Sequence, residues 1–450
     1  MNMTKSDVLL KKDRESIWHH LSPYNEKAPP LVAVEADGAW ITDHHGKKFL
    51  DGMAGLWCVN VGYGREELAK AAYEQMKKMP YFPLTQSHVP AIKLSEKLNE
   101  WLDDEYVFFY SNSGSDANEV AFKIARQYHQ QNGDPSRYKF ISRYRAYHGS
   151  SFGALSATGQ AVRKYKYEPL AQGFLHVRPP DTYRRPDGMS AEEFNFQCAL
   201  EIEEKIIWEG KETIAAVIME PVITGGGVII PEQIYIDKVQ EICRKYGVLL
   251  IVDEVICGFG RTGKKFGHMN FQMKPDIVTM AKGITSAYLP LSVTAVRKSI
   301  YDVFKNDKEN EYFRHVNTFG GNPSACAVAL KNLEIMEKEN LVARSESLGK
   351  TLKSELAPLL DHPHVGDIRI LGFLMGIELV ENKKTKKPVN RQYINNIIKE
   401  CKEHGLIIGK NSDTVAGFNN ILALSPPLSC TDDDVQFIIS TLKKVFANNG

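Results

Sequence analysis

The chain has 450 residues, 43% of them hydrophobic and 25% charged, as in ordinary globular proteins, and a prior of about 150 residues per domain gives two or three domains. Lys plus Arg number 56 and Asp plus Glu 55, so the basic excess of a nucleic-acid binder is missing. The longest apolar runs, Ile214–Met219 and Ala325–Leu330, reach six residues, whereas a membrane-spanning helix needs roughly 20.

The opening text, MNMTKSDVLLKKDRES, has no signal-peptide core. Seven scattered cysteines without a CxxC pair read as reduced thiols of a cytoplasmic protein. In chain order, Ala39–Leu50 has the pattern of strand, turn and strand. Tyr106–Tyr110 (YVFFY) reads as a buried strand, and Asp116 to about Tyr128 as the helix after it. Phe140–Ile141 starts another strand, Ile214–Met219 a third ending at Glu220, and Glu232–Tyr246 a helix stopped by Gly247. Val248–Val252 (VLLIV) ends at Asp253, and Ile277–Met280 ends just before Lys282. Continuous apolar strands alternating with helices predict an α/β fold, a mostly parallel sheet covered on both faces, with ligands beyond the carboxyl ends of its strands.

After about residue 330 the texture changes. Leu330–Leu360 reads as one long amphipathic helical stretch. It is followed by Phe373–Leu379, a lysine-rich hairpin tip (Lys383, Lys384, Lys386, Lys387), another helix and a strand near Ile421–Leu424. The expected organisation is a large domain over 66–330 and a small one over 331–450, with 1–65 packing on the small domain.

Several constellations could carry chemistry. Gly258–Gly263 satisfies GxGxxG, and Gly258–Lys264 nearly makes a P-loop; but Lys265 replaces the Ser or Thr that would hold magnesium, and no periodic helix follows. A tight structural loop accounts for it better than NTP binding. Ser113-Gly114-Ser115 links a strand to a helix, where free N–H groups at the positive end of the helix dipole can cradle a phosphate. Asp116 and Glu119 also have capping-box spacing, which would make the turn merely a cap. Asp253 and Lys282 both end strands. They are either a buried ion pair or a Schiff-base lysine with an aspartate that keeps a pyridine nitrogen protonated. Tyr147-His148-Gly149 lies in a turn where an aromatic ring could stack on a planar cofactor. Metal motifs of the HExxH, CxxC or calcium-loop kind do not occur.

MEP (Met219–Pro221), DEVICGFGRTG (Asp253–Gly263), the lysine of TMAKGI and HVNTFGGNPSACAVAL (His315–Leu330) together resemble the class III aminotransferases. These are pyridoxal-phosphate enzymes of fold type I. The likeness extends through GLWCVNVGYG, YSNSGSDANEVAFKIAR, YRAYHGSSFGALSATG, IRILGFLMGIELV and ILALSPPL, nearly the whole chain. The subgroup most resembled is the omega-aminotransferases that use pyruvate, with the diaminopelargonic acid enzyme of biotin synthesis as the alternative; racemase or aminomutase chemistry would keep the same cofactor. The resemblance implies that Lys282 forms the Schiff base with pyridoxal 5'-phosphate and shuttles the 1,3-proton. It implies that Asp253 binds the pyridine nitrogen, Val255 presses one ring face and Tyr147 the other. Ser113, Gly114 and Ser115 would hold the phosphate, joined by Thr318 from a partner subunit, with His148 and Glu220 in the polar network. Trp57 and Phe319 would line the substrate pocket. The expected partners are an amine donor, a 2-oxo acid and a second copy of the chain, as a homodimer or dimer of dimers with shared active sites. One departure stands out: the small-domain arginine that binds a substrate carboxylate in many omega-aminotransferases has no counterpart, since no arginine follows Arg391. Lys410 lies near that place, without the bidentate fork of a guanidinium.

Overall fold

The computed structural model describes residues 5–23, 25, 30–306, 308–411, 415 and 417–450. Strands β1 (Ala33–Asp37), β2 (Trp40–Asp43) and β3 (Lys48–Asp51) come first. A central sheet follows, made of β4 (Tyr106–Ser111), β5 (Lys139–Arg143), β6 (Phe174–Val177), β7 (Ile214–Met219), β8 (Leu249–Asp253), β9 (Ile277–Met280) and β10 (Ser292–Arg297). The C-terminal part holds β11 (Val365–Leu371), β12 (Leu374–Asn382), β13 (Lys387–Pro388), β14 (Leu406–Ile407), β15 (Gly409–Lys410) and β16 (Ile421–Leu424).

The central sheet runs β4-β10-β9-β8-β7-β5-β6. All its pairings are parallel except those of β10, which is antiparallel to both neighbours. Alternation explains the unbroken apolar runs. Val217, Met219, Leu250 and Val252 join one core with the helices Ala191–Glu209 and Gln233–Tyr246. Ala216, Ile218, Leu249 and Ile251 join the core on the opposite face, under the helix Gly114–Gln131. Both faces are covered, so both sets of side chains must be apolar. Gly247 ends its helix as expected, in the left-handed conformation at φ +62°.

The expected long helix over 330–360 is two helices, Pro323–Lys338 and Leu341–Leu356, separated where Asn340 turns left-handed at φ +50°. The first starts well before residue 330 and crosses the expected domain boundary. Beyond it, β11-β12-β16-β15 form an antiparallel sheet. The lysine-rich tip lies in the β12–β13 hairpin. The N-terminal strands are tied to this part of the chain, since β3 pairs in parallel with β14. Gly258–Gly263 is a joint between segments far apart in sequence. Buried Arg261 donates to the Pro426 carbonyl (2.6 Å), the Phe373 carbonyl (3.2 Å) and Asn60 Oδ1 (2.8 Å). No helix among the described residues is long and apolar enough to cross a membrane.

Candidate active site

The carboxyl ends of β8 and β9 lie side by side, with Asp253 opposite Thr279 and Lys282 three residues further on. A cavity of about 150 Å³ opens there, lined by Gly114, Ser115, Tyr147, His148, Gly149, Glu220, Asp253, Val255 and Lys282, with Leu56 and Ile256. Nine of these eleven are residues singled out in the sequence, Leu56 and Ile256 being the others.

Asp253 ends a fully buried strand and is itself 3% exposed. Its Oδ2 accepts hydrogen bonds from His148 Nδ1 (2.8 Å) and Asn118 Nδ2 (2.9 Å), and its Oδ1 from the Val255 N–H (3.0 Å). The carboxylate is thus fixed by donors, with no lysine in hydrogen-bond contact. Asn118 was not singled out in the sequence. It sits on the buried side of the helix Gly114–Gln131, holds the His148 carbonyl (2.6 Å) as well as Asp253, and accepts from Thr279 Oγ1 (2.8 Å). A lone buried amide among Ala117, Val120 and Ala121 was the available signal. His148 Nε2 is buried and lacks a partner.

Glu220, directly after β7, accepts from the Tyr147 N–H (3.2 Å) and from Thr224 N–H and Oγ1 (3.0 and 2.6 Å). Burial pushes its carboxyl above the ordinary range, and Asp253 adds to this while His148 opposes it. Lys282 holds a left-handed backbone at φ +50°, a strained conformation for a side chain of its type. Burial lowers its amine below the ordinary lysine range, against the opposing pull of Cys58, Asp253 and Glu220. A lowered lysine presents more of the neutral, nucleophilic amine.

The helix N-terminus at Gly114 is capped differently from the expected Asp116/Glu119 pair. Ser113 Oγ accepts from the Asp116 N–H (3.2 Å), and Asp116 Oδ2 accepts from the Ser113 N–H (3.0 Å). Glu119 Oε1 instead takes Ser151 Oγ (2.6 Å) and the N–H groups of Gly153 and Ala154 (2.9 and 3.0 Å), pinning the Tyr147 turn to the helix. Gly114 and Ser115, first in the helix, line the cavity, and their N–H groups are among those that a helix leaves without an intrahelical acceptor. A side chain at Gly114 would approach Val255 Cγ1 to 2.9 Å, so glycine keeps the cradle open.

Other expected site residues lie elsewhere. Trp57 is buried in the core beneath β7 and β8, and its neighbour Leu56 lines the cavity. Thr318 is exposed, its carbonyl accepting from Tyr81 Oη (2.8 Å), and Phe319 is 64% exposed with its ring edge-on to Tyr81. Lys410 points its ammonium at Asn395 Oδ1 (3.1 Å), on the helix Arg391–Glu403, and does not line the cavity.

The family model for class-III aminotransferases matches residues 21–446. The chain belongs to the class-III aminotransferases. It is 60% identical over 445 residues to the uncharacterized aminotransferase YhxA of Bacillus subtilis, covering 99% of this chain and 98% of that one. It is 42% identical over 442 residues to a taurine–pyruvate aminotransferase of Bilophila wadsworthia, covering 97% and 96%. A Bacillus anthracis aminotransferase of known structure has TM-score 0.95 and 56% identity, with 100% of both chains covered.

As a class-III aminotransferase of fold type I, the enzyme depends on pyridoxal 5'-phosphate. The cavity fits that group. It offers a free helix N-terminus for a phosphate, a buried carboxylate for a ring nitrogen, an unpartnered His148 Nε2 and a lysine depressed by burial. When bound, the group supplies an electron sink for the bond broken at the substrate's Cα.

Proposed function

We propose that the enzyme moves an amino group from an omega-amino acid or amine to a 2-oxo acid, pyruvate before others, by a ping-pong cycle. The observation that carries this reading is the meeting of Lys282, Asp253 and the Gly114–Ser115 helix N-terminus in one cavity. The likeness to a taurine–pyruvate aminotransferase supports pyruvate as acceptor. In this reading Lys282 Nζ would hold the cofactor through its aldehyde and, once the substrate's amine has displaced it, would be the free amine that carries the proton from the substrate's Cα. Asp253, fixed by hydrogen bonds from His148, Asn118 and the Val255 N–H, would face the pyridine nitrogen and favour its protonated form. Val255 and Tyr147 enclose the ring, Ser113, Gly114 and Ser115 hold the phosphate, and Leu56 takes the place expected of Trp57 on the substrate side.

Thr318 and Phe319, exposed on one protomer, serve the site of a second copy, Thr318 at its phosphate. The enzyme is accordingly a homodimer or a dimer of dimers. Light scattering at assay concentration checks this, and a fully active monomer would refute it. The reaction itself is tested by offering pyruvate with a panel of donors (taurine, diamines, 1-phenylethylamine) and measuring alanine. Alanine from at least one donor is expected; glutamate from 2-oxoglutarate with no alanine from any donor would overturn the acceptor assignment.

A further inference from the structure

The turn Met53–Trp57, which brings Leu56 to the cavity, is locally strained. Ala54, Gly55 and Trp57 all hold left-handed backbone, at φ +48°, +66° and +64°. Two of them carry side chains, for which this conformation is costly. Its outcome is that neighbours part: Leu56 lines the cavity with Lys282, and Trp57 packs into the core beneath β7 and β8. Strain of this kind persists only where the surroundings over-determine it.

Asp51, at the end of β3 and 2% exposed, supplies that hold. Its Oδ1 accepts from the Met53 N–H (3.0 Å), and its Oδ2 from the Gly55 N–H (2.5 Å) and Tyr63 Oη (2.7 Å). Burial and the neighbouring Asp51 push the Tyr63 phenol up, so it remains a donor. All three partners are uncharged. The other backbone bonds of the turn are internal, the Trp57 and Cys58 N–H groups returning to the Met53 and Ala54 carbonyls (both 2.9 Å). Upstream, Gly52 is tied to the C-terminal part of the chain: its N–H donates to the Ile407 carbonyl (2.9 Å), and its own carbonyl accepts from the Ser425 N–H (2.7 Å). Leu56 itself is 68% exposed, so its place is set by the backbone that carries it and not by packing.

We infer that Asp51 is a positioning residue for donor selection: by clamping the strained turn it sets how far Leu56 reaches into the cavity, and so how large a group the substrate amine can carry beside its Cα. The inference rests on the aminotransferase reading above. A carboxyl side chain suits this task because each of its oxygens can hold a different N–H, here two residues apart, which fixes the backbone between them. Asparagine has one acceptor oxygen and would set an amide donor against one of those N–H groups. An apolar wall discriminates by roughly tenfold or more per methylene of the substrate, so a modest displacement of Leu56 is enough to change which amines fit.

The test compares kcat/KM for isopropylamine and 1-phenylethylamine in the cofactor-loaded enzyme, with pyruvate as acceptor. In Asp51→Asn the ratio of the two should shift roughly tenfold toward the larger amine. Leu56→Ala removes the wall and leaves the clamp, and should shift the ratio in the same direction. Because Asp51 acts through Leu56, the double variant should differ from Leu56→Ala by less than about threefold. Tyr63→Phe takes one donor from the clamp and should give a smaller shift of the same sign; it decides the question if Asp51→Asn does not fold. An unchanged ratio, an equal loss for both amines, or shifts that multiply in the double variant would make Asp51 structural only and overturn the assignment. A second readout needs no turnover. Cys58, whose Sγ donates to the Leu56 carbonyl (2.9 Å), is the one cysteine of seven that is not buried. Its reaction with Ellman's reagent should quicken roughly tenfold in Asp51→Asn as the turn opens more often, with Cys58→Ser as the blank. An unchanged thiol rate would mean that other contacts hold the turn, and would overturn the clamp. If the wild type reacts with no amine at all, the functional reading fails instead, and the thiol rate still judges Asp51.

Discussion

The turn Thr224–Val228 separates two clusters of buried charge that behave in opposite ways. On one side, Arg369 donates to the Gly227 and Val228 carbonyls (2.7 and 3.0 Å) and to Asp367 and Glu378 (2.8 and 2.7 Å), while Arg184 grips the other oxygen of Glu378 (2.8 and 2.5 Å). Burial alone would raise the Glu378 carboxyl, but Arg369 and Arg184 together hold it below the ordinary range. Burial likewise works against the Arg369 cation, and Glu378 and Asp367 more than restore it. On the other side, burial prevails: Glu220 is pushed up and Lys282 down, each toward its neutral form. Both clusters join segments distant in sequence. The difference shows that buried charge by itself does not mark chemistry. A matched cluster is a joint, and a mismatched one holds groups poised to react.

The largest expected effect falls on the mismatched side. Lys282→Ala should lose alanine formation by about four orders of magnitude or more, since both the covalent partner and the proton carrier disappear. Its melting temperature should hold, because the substitution removes a desolvated amine with no buried counter-charge in contact. Near-normal turnover would remove the central claim.

Two further substitutions test the contrast in a crossed design. Asp253→Asn should cut the single-turnover rate by about 10²- to 10³-fold, as removal of one preorganised electrostatic group does. Its stability should fall by less than about 2 kcal/mol, because His148 can offer its ring nitrogen as an acceptor to the new amide. Glu378→Gln should do the reverse. Arg184 then loses its carboxylate and Arg369 keeps only Asp367, at a cost of up to about 3–5 kcal/mol read from urea unfolding. The rate per folded chain should change by less than about threefold, the two sites being independent. If Asp253→Asn proves unstable yet turns over normally once folded, the carboxylate is structural and the contrast fails.

How much of this was legible in the sequence depends on where each contact comes from. Strands β7, β8 and β9 announce themselves because burial on both faces forces continuous apolar text, and the partly buried edge strand β4 through its aromatic run YVFFY. Strand β10 (SVTAVR) does not, since its Thr294 hydroxyl is satisfied only by the Ala117 carbonyl from a distant helix (2.8 Å). The break at Asn340 was hidden because nothing in the local pattern distinguishes a left-handed asparagine from one more helical turn. In the site, Lys282, Asp253 and the Gly114 turn were readable because strand ends and small-residue turns have local signatures. Asn118 was not, because its meaning lies in partners brought together by the sheet and not by spacing. The Ser113–Asp116 cap was missed for a smaller reason: Glu119 has the right spacing too, but its carboxylate is taken by Ser151 and the following N–H groups.

The smallest expected effect is the sharpest on the comparison, because its sign differs between the two glutamates. Glu378 has a folded-state value below its ordinary 4.5, so it contributes stability that is present above about pH 4.5 and is lost as pH falls through the folded value. Glu220 is raised above 4.5, so its contribution is present below about pH 4.5 and is lost as pH rises through the folded value. Glutamine copies the shape of either side chain without titrating. In the cofactor-free chain, where no pyridinium perturbs Asp253, the stability gap between wild type and Glu378→Gln should therefore widen as pH rises from acid toward neutral. For Glu220→Gln, the gap should drift the other way, in favour of the variant. Any fixed penalty for turning an amide toward the Tyr147 or Thr224 N–H shifts the whole curve and leaves its slope alone. Urea midpoints in steps from about pH 3 to 8 give the sign of both slopes. Parallel slopes would mean that Glu220 is ionised like Glu378. The cavity would then be one more balanced joint, and the claim that its groups are held near neutrality for reaction would fall with it.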